Sequence, residues 1–294
     1  MKYREVDLNE EFLSKLYESG SEQWQTSPPA KLFAIGDFPK DRKTRKVVAI
    51  VGSRASTSYG ERIAYDAAKL LAENGVIVVS GLAYGIDAAA HRGCLAGGGE
   101  TVAVLGTPID SIYPRCNLSL AEKMLENGGA IVSEYAPGDP VTRGNFTYRN
   151  RIVSGLADAL LVVEASDHSG TISTVNFALE QGRDIYAVPG DIDRETSAGT
   201  NRLILDGAKM YLGAKGFLGD VLPDWRKRKT EAIAQKYGED AWRIMVSIEE
   251  GSDTIDGLVE MLGMDAEKVL SELGVLEVEG LVIIEGEKVR LLKN

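Results

Sequence analysis

From about Lys46 onward, short runs of β-branched and aliphatic residues alternate with amphipathic stretches. The runs are VVAIV (47–51), VIVVS (76–80), TVAVL (101–105), AIVSEY (130–135), ALLVVEA (159–165) and DIYAVP (184–189). Continuous apolar runs of this length are the mark of strands buried on both faces, and the stretches between them supply crossover helices. The pattern therefore predicts an α/β fold, an extended Rossmann-like, doubly wound and mainly parallel sheet. Ser58 is placed to cap the first crossover helix with Glu61 as its capping-box partner, and Gly75 follows that helix.

Outside this region the pattern changes twice. Residues 1–27 read as a short polar helical arm, SPPAKLFAIGD (27–37) as a turn and one more strand, and DRKTRK (41–46) as a charged lead-in to the first buried run. Downstream, PDWRKRKTEAIAQKYGED (223–240) is a charged linker or exposed helix, which sets a domain boundary near residue 225. Helices follow over 241–250, 254–262 and 266–273, and VLEVEGLVIIEGEKVRLL reads as two apolar strands joined through a Gly-containing turn. The expected organisation is an arm (1–27), a Rossmann-like domain (28–222) and a small winged-helix-like domain (235–294).

Composition narrows the function classes. With 294 residues and 44% hydrophobic content the chain can bury one large core and a smaller one. No apolar run nears the roughly 20 residues that span a bilayer, and MKYREVDLNEEF lacks a secretory leader's apolar segment, so a cytoplasmic location is expected. Two cysteines, Cys94 and Cys116, and two histidines show neither zinc-ligand spacing nor disulfide density, so no metal or cofactor is expected. The 33 basic and 44 acidic residues give a net charge of −11, which argues against coating nucleic acid by general positive charge. Any nucleic-acid site must then be a local basic patch. Residues 235–294 carry 14 acidic and 6 basic side chains, the wrong sign for a helix entering a DNA groove.

In open α/β sheets ligands sit beyond the carboxyl ends of the strands. Here those ends read Gly52-Ser53-Arg54, Ser80-Gly81-Leu82-Ala83-Tyr84-Gly85, Gly106-Thr107, Ser133-Glu134-Tyr135, Glu164 with Ser169-Gly170-Thr171, and Pro189-Gly190. Six such loops on one edge point to a phosphate-bearing ligand, although each glycine alone is explained by a turn. GSRASTSYG is neither a P-loop, since no Lys follows its second Gly, nor a GxGxxG dinucleotide motif. Arg54 can join the backbone amides of Gly52 and Ser53 in clamping a phosphate. In Arg143-Gly-Asn-Phe146-Thr-Tyr148-Arg149-Asn150-Arg151 three arginines are interleaved with aromatics, the composition that tracks a backbone while stacking a base. Arg149 and Arg151 have a second reading, as buried partners of Glu134 or Glu164. Asp87 and His91, four residues apart, read as a helix-stabilising contact rather than a catalytic pair, and Ser53 with His168 lacks any nucleophile elbow.

Taken together, GSR, SGLAYGIDAAAH, IYP (112–114), SEY, FTYRNRI, VVEASDHSGT, ALEQGRDIYAVPG and GTNRLI resemble the DprA/Smf family of DNA-processing proteins across about residues 28–213. The resemblance implies a dimerising Rossmann core, without catalytic activity, that binds single-stranded DNA. It also implies loading of a RecA-type recombinase during natural transformation and recombination. Carried onto this sequence, Gly52, Ser53 and Arg54 would be the phosphate clamp, Arg143 a further basic contact, and Phe146 the stacking ring. Arg149, Asn150 and Arg151 would line or brace the pocket, with Ser169 and Gly170 at its edge. The chain departs from the family at Pro108, where a further Gly is usual, in a short N-terminal part, and in the acidity of its C-terminal unit. Two rivals are a nucleotide or phosphoribosyl hydrolase of the lysine-decarboxylase-like Rossmann group, echoed by Glu164 and Ser169-Gly170-Thr171 without the PGGxGTxxE signature, and an interaction module working through residues 225–294.

Overall fold

A computed structural model describes residues 2–7, 11–13, 16, 28–41, 44–167, 169–225 and 234–292. Most of the 1–27 arm, Arg42 and Lys43 of the charged lead-in, His168, and 226–233 of the charged linker lie outside the described residues. The chain divides into two compact units, Met1–Leu222 and Pro223–Asn294.

The first unit is built on nine strands among the described residues: β1 (Arg4–Glu5), β2 (Phe33–Ile35), β3 (Val47–Val51), β4 (Ile77–Ser80), β5 (Thr101–Leu105), β6 (Ala130–Ser133), β7 (Ala159–Val162), β8 (Asp184–Ala187) and β9 (Lys209–Met210). Their order is β1-β2-β6-β5-β4-β3-β7-β8-β9. From β6 to β9 in that order all neighbours are parallel, while β2 runs antiparallel to β6 and β1 antiparallel to β2. The chain enters the parallel sheet at β3, steps outward through β4, β5 and β6, and returns as β7 on the other flank of β3. That reversal opens a crevice beyond the carboxyl ends of β3 and β7, where a doubly wound sheet holds its ligand.

Burial explains the runs. Every residue of β3 through β7 is buried, Val47 to Ile50 completely, because helices cover both faces. Each such Val, Ile or Leu contributes about 1.5–3 kcal/mol against leaving it in water. The helices are α1 (Ser58–Glu73), α2 (Ile86–Ala96), α3 (Leu118–Glu126), α4 (Arg143–Leu156), α5 (Gly170–Glu180), α6 (Glu195–Leu205) and α7 (Ala214–Val221). Helix α1 buries Ala64, Ala67, Ala68 and Leu71, an i, i+3, i+4, i+7 stripe.

Three expectations need correction. The cap of α1 is Thr57, not Ser58: Thr57 is extended, its hydroxyl accepts from the Gly60 amide, and Glu61 accepts instead from Ser56 Oγ at 2.9 Å. Among its described residues the arm is not uniformly polar, although Leu16 is helical. It contributes β1 and a 3-10 turn over Glu11–Leu13, and Phe12, Leu13 and Leu16 are buried in the main core, Phe12 stacked 5.1 Å from Phe38. In the second unit, α8 (Glu239–Glu249), α9 (Ile255–Leu262) and α10 (Ala266–Val278) precede a hairpin of β10 (Val282–Glu285) and β11 (Lys288–Leu291). VLEV thus belongs to α10, since Val269, Leu273 and Leu276 fall on one helical face and are buried at that period.

Among the described residues, then, the second unit sets helices before a two-stranded antiparallel hairpin. No helix among the described residues is long and apolar enough to cross a membrane.

Candidate nucleic-acid interface

The crevice holds a cavity of about 580 Å³. The β3 loop brings Gly52, Ser53 and Arg54, the loop after β4 and the start of α2 bring Gly81, Ala83 and Asp87, α4 brings Arg143, Phe146, Thr147, Arg149 and Asn150, the start of α5 brings Ser169, Gly170 and Thr171, and Tyr113 stands at the rim. Thr142 caps α4 by accepting from the Asn145 amide at 3.3 Å. Positions 143, 146, 147 and 150 then recur on one helical face, which turns the interleaved sequence into a single wall. Ser169 caps α5, accepting from Thr171 at 3.1 Å, so the positive end of that helix closes the opposite side.

Arg54 and Arg143 are exposed, and the Arg54 guanidinium carbon lies 5.6 Å from the centre of the Phe146 ring. Cation and aromatic face are thereby held side by side at the mouth. Gly106, at the end of β5, permits this: a Cβ there would stand 2.8 Å from Phe146 Cδ1 and 2.9 Å from its Cα.

Arg149 lies beneath them, 4% exposed, its guanidinium donating to the carbonyls of Gly81 (2.8 Å) and Val104. A side chain at position 81 would come within 2.5 Å of that guanidinium, so glycine is required there. Burial lowers the Arg149 pKa to about 10, which leaves it charged at neutral pH. The facing Asp87 is pushed upward by burial, against the pull of Arg149, while its Oδ2 accepts from the amides of Gly81 (3.1 Å) and Ala83 (3.3 Å). Asn150 ties α4 to α5 through Ser173 Oγ (3.0 Å) and the Gly170 carbonyl (3.3 Å).

Of the ten residues singled out in the sequence, nine line this cavity and Arg151 does not. Arg151 is 1% exposed, pairs with Glu134 at 2.6 Å, and carries its guanidinium 4.0 Å from the Tyr148 ring centre, so it braces α4 from behind. The amide clamp also needs revision: the Ser53 N–H donates to the Glu164 carbonyl at 2.7 Å. The Ser53 amide is thus engaged in the fold, and the Ser53 hydroxyl accepts from the Ala55 amide at 3.1 Å.

Glu164 is 3% exposed and closes the start of α1, accepting from the Thr57 amide (2.8 Å) and hydroxyl (2.5 Å). Asp87 and His91 lie on α2 but face separate partners, His91 Nδ1 standing 2.7 Å from Thr101 Oγ1. Tyr113, on the rim beside Phe146, was not among the ten. Its signal was the IYP motif, with an aromatic placed just after a strand-end loop.

The family model for DNA recombination-mediator protein A matches residues 11–221. Protein Smf of Escherichia coli is 36% identical over 278 residues, covering 90% of this chain and 73% of that one. DNA processing protein DprA of Bacillus subtilis is 38% identical over 204 residues, 69% of this chain and 68% of its own length. Among solved structures, DprA from Streptococcus pneumoniae superposes with a TM-score of 0.64 at 35% identity, covering 75% of each chain. DprA from Helicobacter pylori, described for its single-stranded DNA binding mode, gives 0.66 at 29% identity, covering 76% of this chain and 97% of that one. A match over most of the first unit, carried by sequence and fold together, establishes that the chain belongs to the DNA recombination-mediator protein A family.

Proposed function

We propose that the chain binds single-stranded DNA in this cavity and delivers it to a RecA-type recombinase in natural transformation and recombination. The reading rests chiefly on Arg54 standing over Phe146 beside the start of α5, a cation, a stacking face and a helix dipole within one crevice. A phosphate meets Arg54, Arg143 and the α5 amides while its base lies on Phe146, a recognition mode indifferent to sequence because every base has a π face. The single-stranded DNA binding described for the Helicobacter pylori relative supports it.

In this reading the protein works in the cytoplasm as a homodimer through its first unit, without catalysis. Leu205, Met210 and Leu212, all exposed around the β9 edge, support self-association. The hydrolase reading loses its acid, because Glu164 is held by Thr57 and is not among the residues lining the cavity.

Fluorescence anisotropy of a labelled single strand, with duplex competitor and a salt series, tests the DNA step. Wild type should prefer the single strand. Phe146→Ala should lose about 1–3 kcal/mol of binding, and Arg54→Ala should weaken binding while flattening the salt slope by about 0.7. Binding left intact in both variants would remove the cavity from DNA recognition.

A further inference from the structure

A second hollow of about 130 Å³ adjoins the cavity, and Arg54, Tyr113 and Phe146 line both. Its additional walls are Tyr84, Gly106 and Pro114. Tyr84 and Tyr113 are 47% and 50% exposed, so two aromatic faces stand open to solvent beside a ring and a guanidinium already placed for a nucleotide. Tyr113 is tilted 60° to Phe146 at 5.7 Å between centres, too close for a base to enter between the rings. A base on this side must therefore lie in the second hollow, against the faces that Tyr113 and Tyr84 present to it.

The loop carrying Tyr84 is built rather than loose. Leu82, fully buried, has a left-handed φ of 56°, a conformation that costs a non-glycine residue energy and persists only where its surroundings dictate it. Two side chains dictate it here. Asp87 accepts from the amides on both sides of Leu82, and Asn117 Nδ2 donates to the carbonyls of Leu82 (2.9 Å) and Ala83 (3.1 Å). Partial desolvation, then the neighbouring Cys116 and Tyr113, raise the Tyr84 pKa above its ordinary value.

We propose that this hollow is a second base subsite, in which Tyr84 and Tyr113 stack the nucleotide next in line to the one on Phe146, so that the strand passes over Phe146 from one hollow into the other. The subsite takes any nucleobase, and its two tyrosines carry no charge to pair with a phosphate. It rests on the single-stranded DNA reading above.

The test measures the full chain against oligothymidylates graded from about four to about sixteen nucleotides, in a salt series. The double variant Tyr84→Ala/Tyr113→Ala should weaken binding of the longer strands about 5- to 150-fold, the worth of a stacked base, with the salt slope unchanged. Tyr84→Phe and Tyr113→Phe keep the rings and should bind as wild type, and melting curves confirm that all variants fold. If the double variant binds every length like wild type while Phe146→Ala has lost binding, the second subsite is absent and the first reading stands. A loss that flattens the salt slope also overturns the proposal, since the tyrosines would then act through phosphate contacts. Failure of wild type to bind any of these strands defeats the underlying reading itself.

Discussion

His91 shows what burial does to a single side chain. It is completely buried on α2, and burial first, then the charges of Arg149 and Arg92, lowers its pKa to about 3. An unfolded chain protonates the same ring near pH 6.5, so below that value the unfolded state holds the extra proton and gains on the folded one. Stability from this group is complete above about pH 6.5 and is lost as pH falls, by roughly 2 kcal/mol between pH 6.5 and 5. Urea unfolding of wild type and His91→Gln across that window should show the slope in wild type and its removal in the variant. A variant as pH-dependent as wild type would assign the effect elsewhere. The four-residue spacing of Asp87 and His91 was legible in the sequence, but their partners were not. Thr101 and Arg149 reach them from β5 and α4, contacts fixed only when the sheet assembles.

At the scale of elements, the start of α1 depends on a carboxylate 107 residues away. Glu164 holds Thr57 by its amide and its hydroxyl, and Gly60 leaves room for it, since a Cβ there would meet the carboxylate at 2.4 Å. Glu164→Gln should therefore cost about 1–3 kcal/mol of stability, read from chemical denaturation, while a folded sample still binds single strands. Loss of binding without loss of stability would instead place Glu164 in the binding chemistry. The same contact explains a misread boundary: Ser58 and Glu61 fit a local capping box, yet a distant acid selects Thr57. Elsewhere local pattern sufficed. The six runs match β3 to β8 because strands covered on both faces are built mostly from apolar residues. The wall of α4 was legible as composition only. Its helical period separates Arg143, Phe146 and Asn150 from Arg151, a distinction invisible until the segment is known to be a helix.

For the whole molecule the proposed function raises the question of how a chain of net charge −11 would hold a polyanion. Every residue lining the cavity lies in Met1–Leu222, whereas residues 235–294 carry 14 acidic and 6 basic side chains. Salt at 0.1 M screens exposed charges over about 10 Å, so net repulsion weighs less near physiological ionic strength, and under the proposed function the arginines lining the cavity weigh more. A chain ending at Leu222 should therefore keep its preference for single strands and its salt slope. At low salt, where screening weakens, it should bind at least as tightly as the full chain, because removing the acidic unit removes a repulsive field. The measurement is anisotropy of both chains across one salt series, after a cooperative melt has shown that the shorter one folds. A folded short chain that no longer binds would mean that the acidic unit takes part in holding DNA. Equal binding, with capture of a recombinase retained only by the full chain, would divide the work between the units, strand recognition in the first and protein contact in the second.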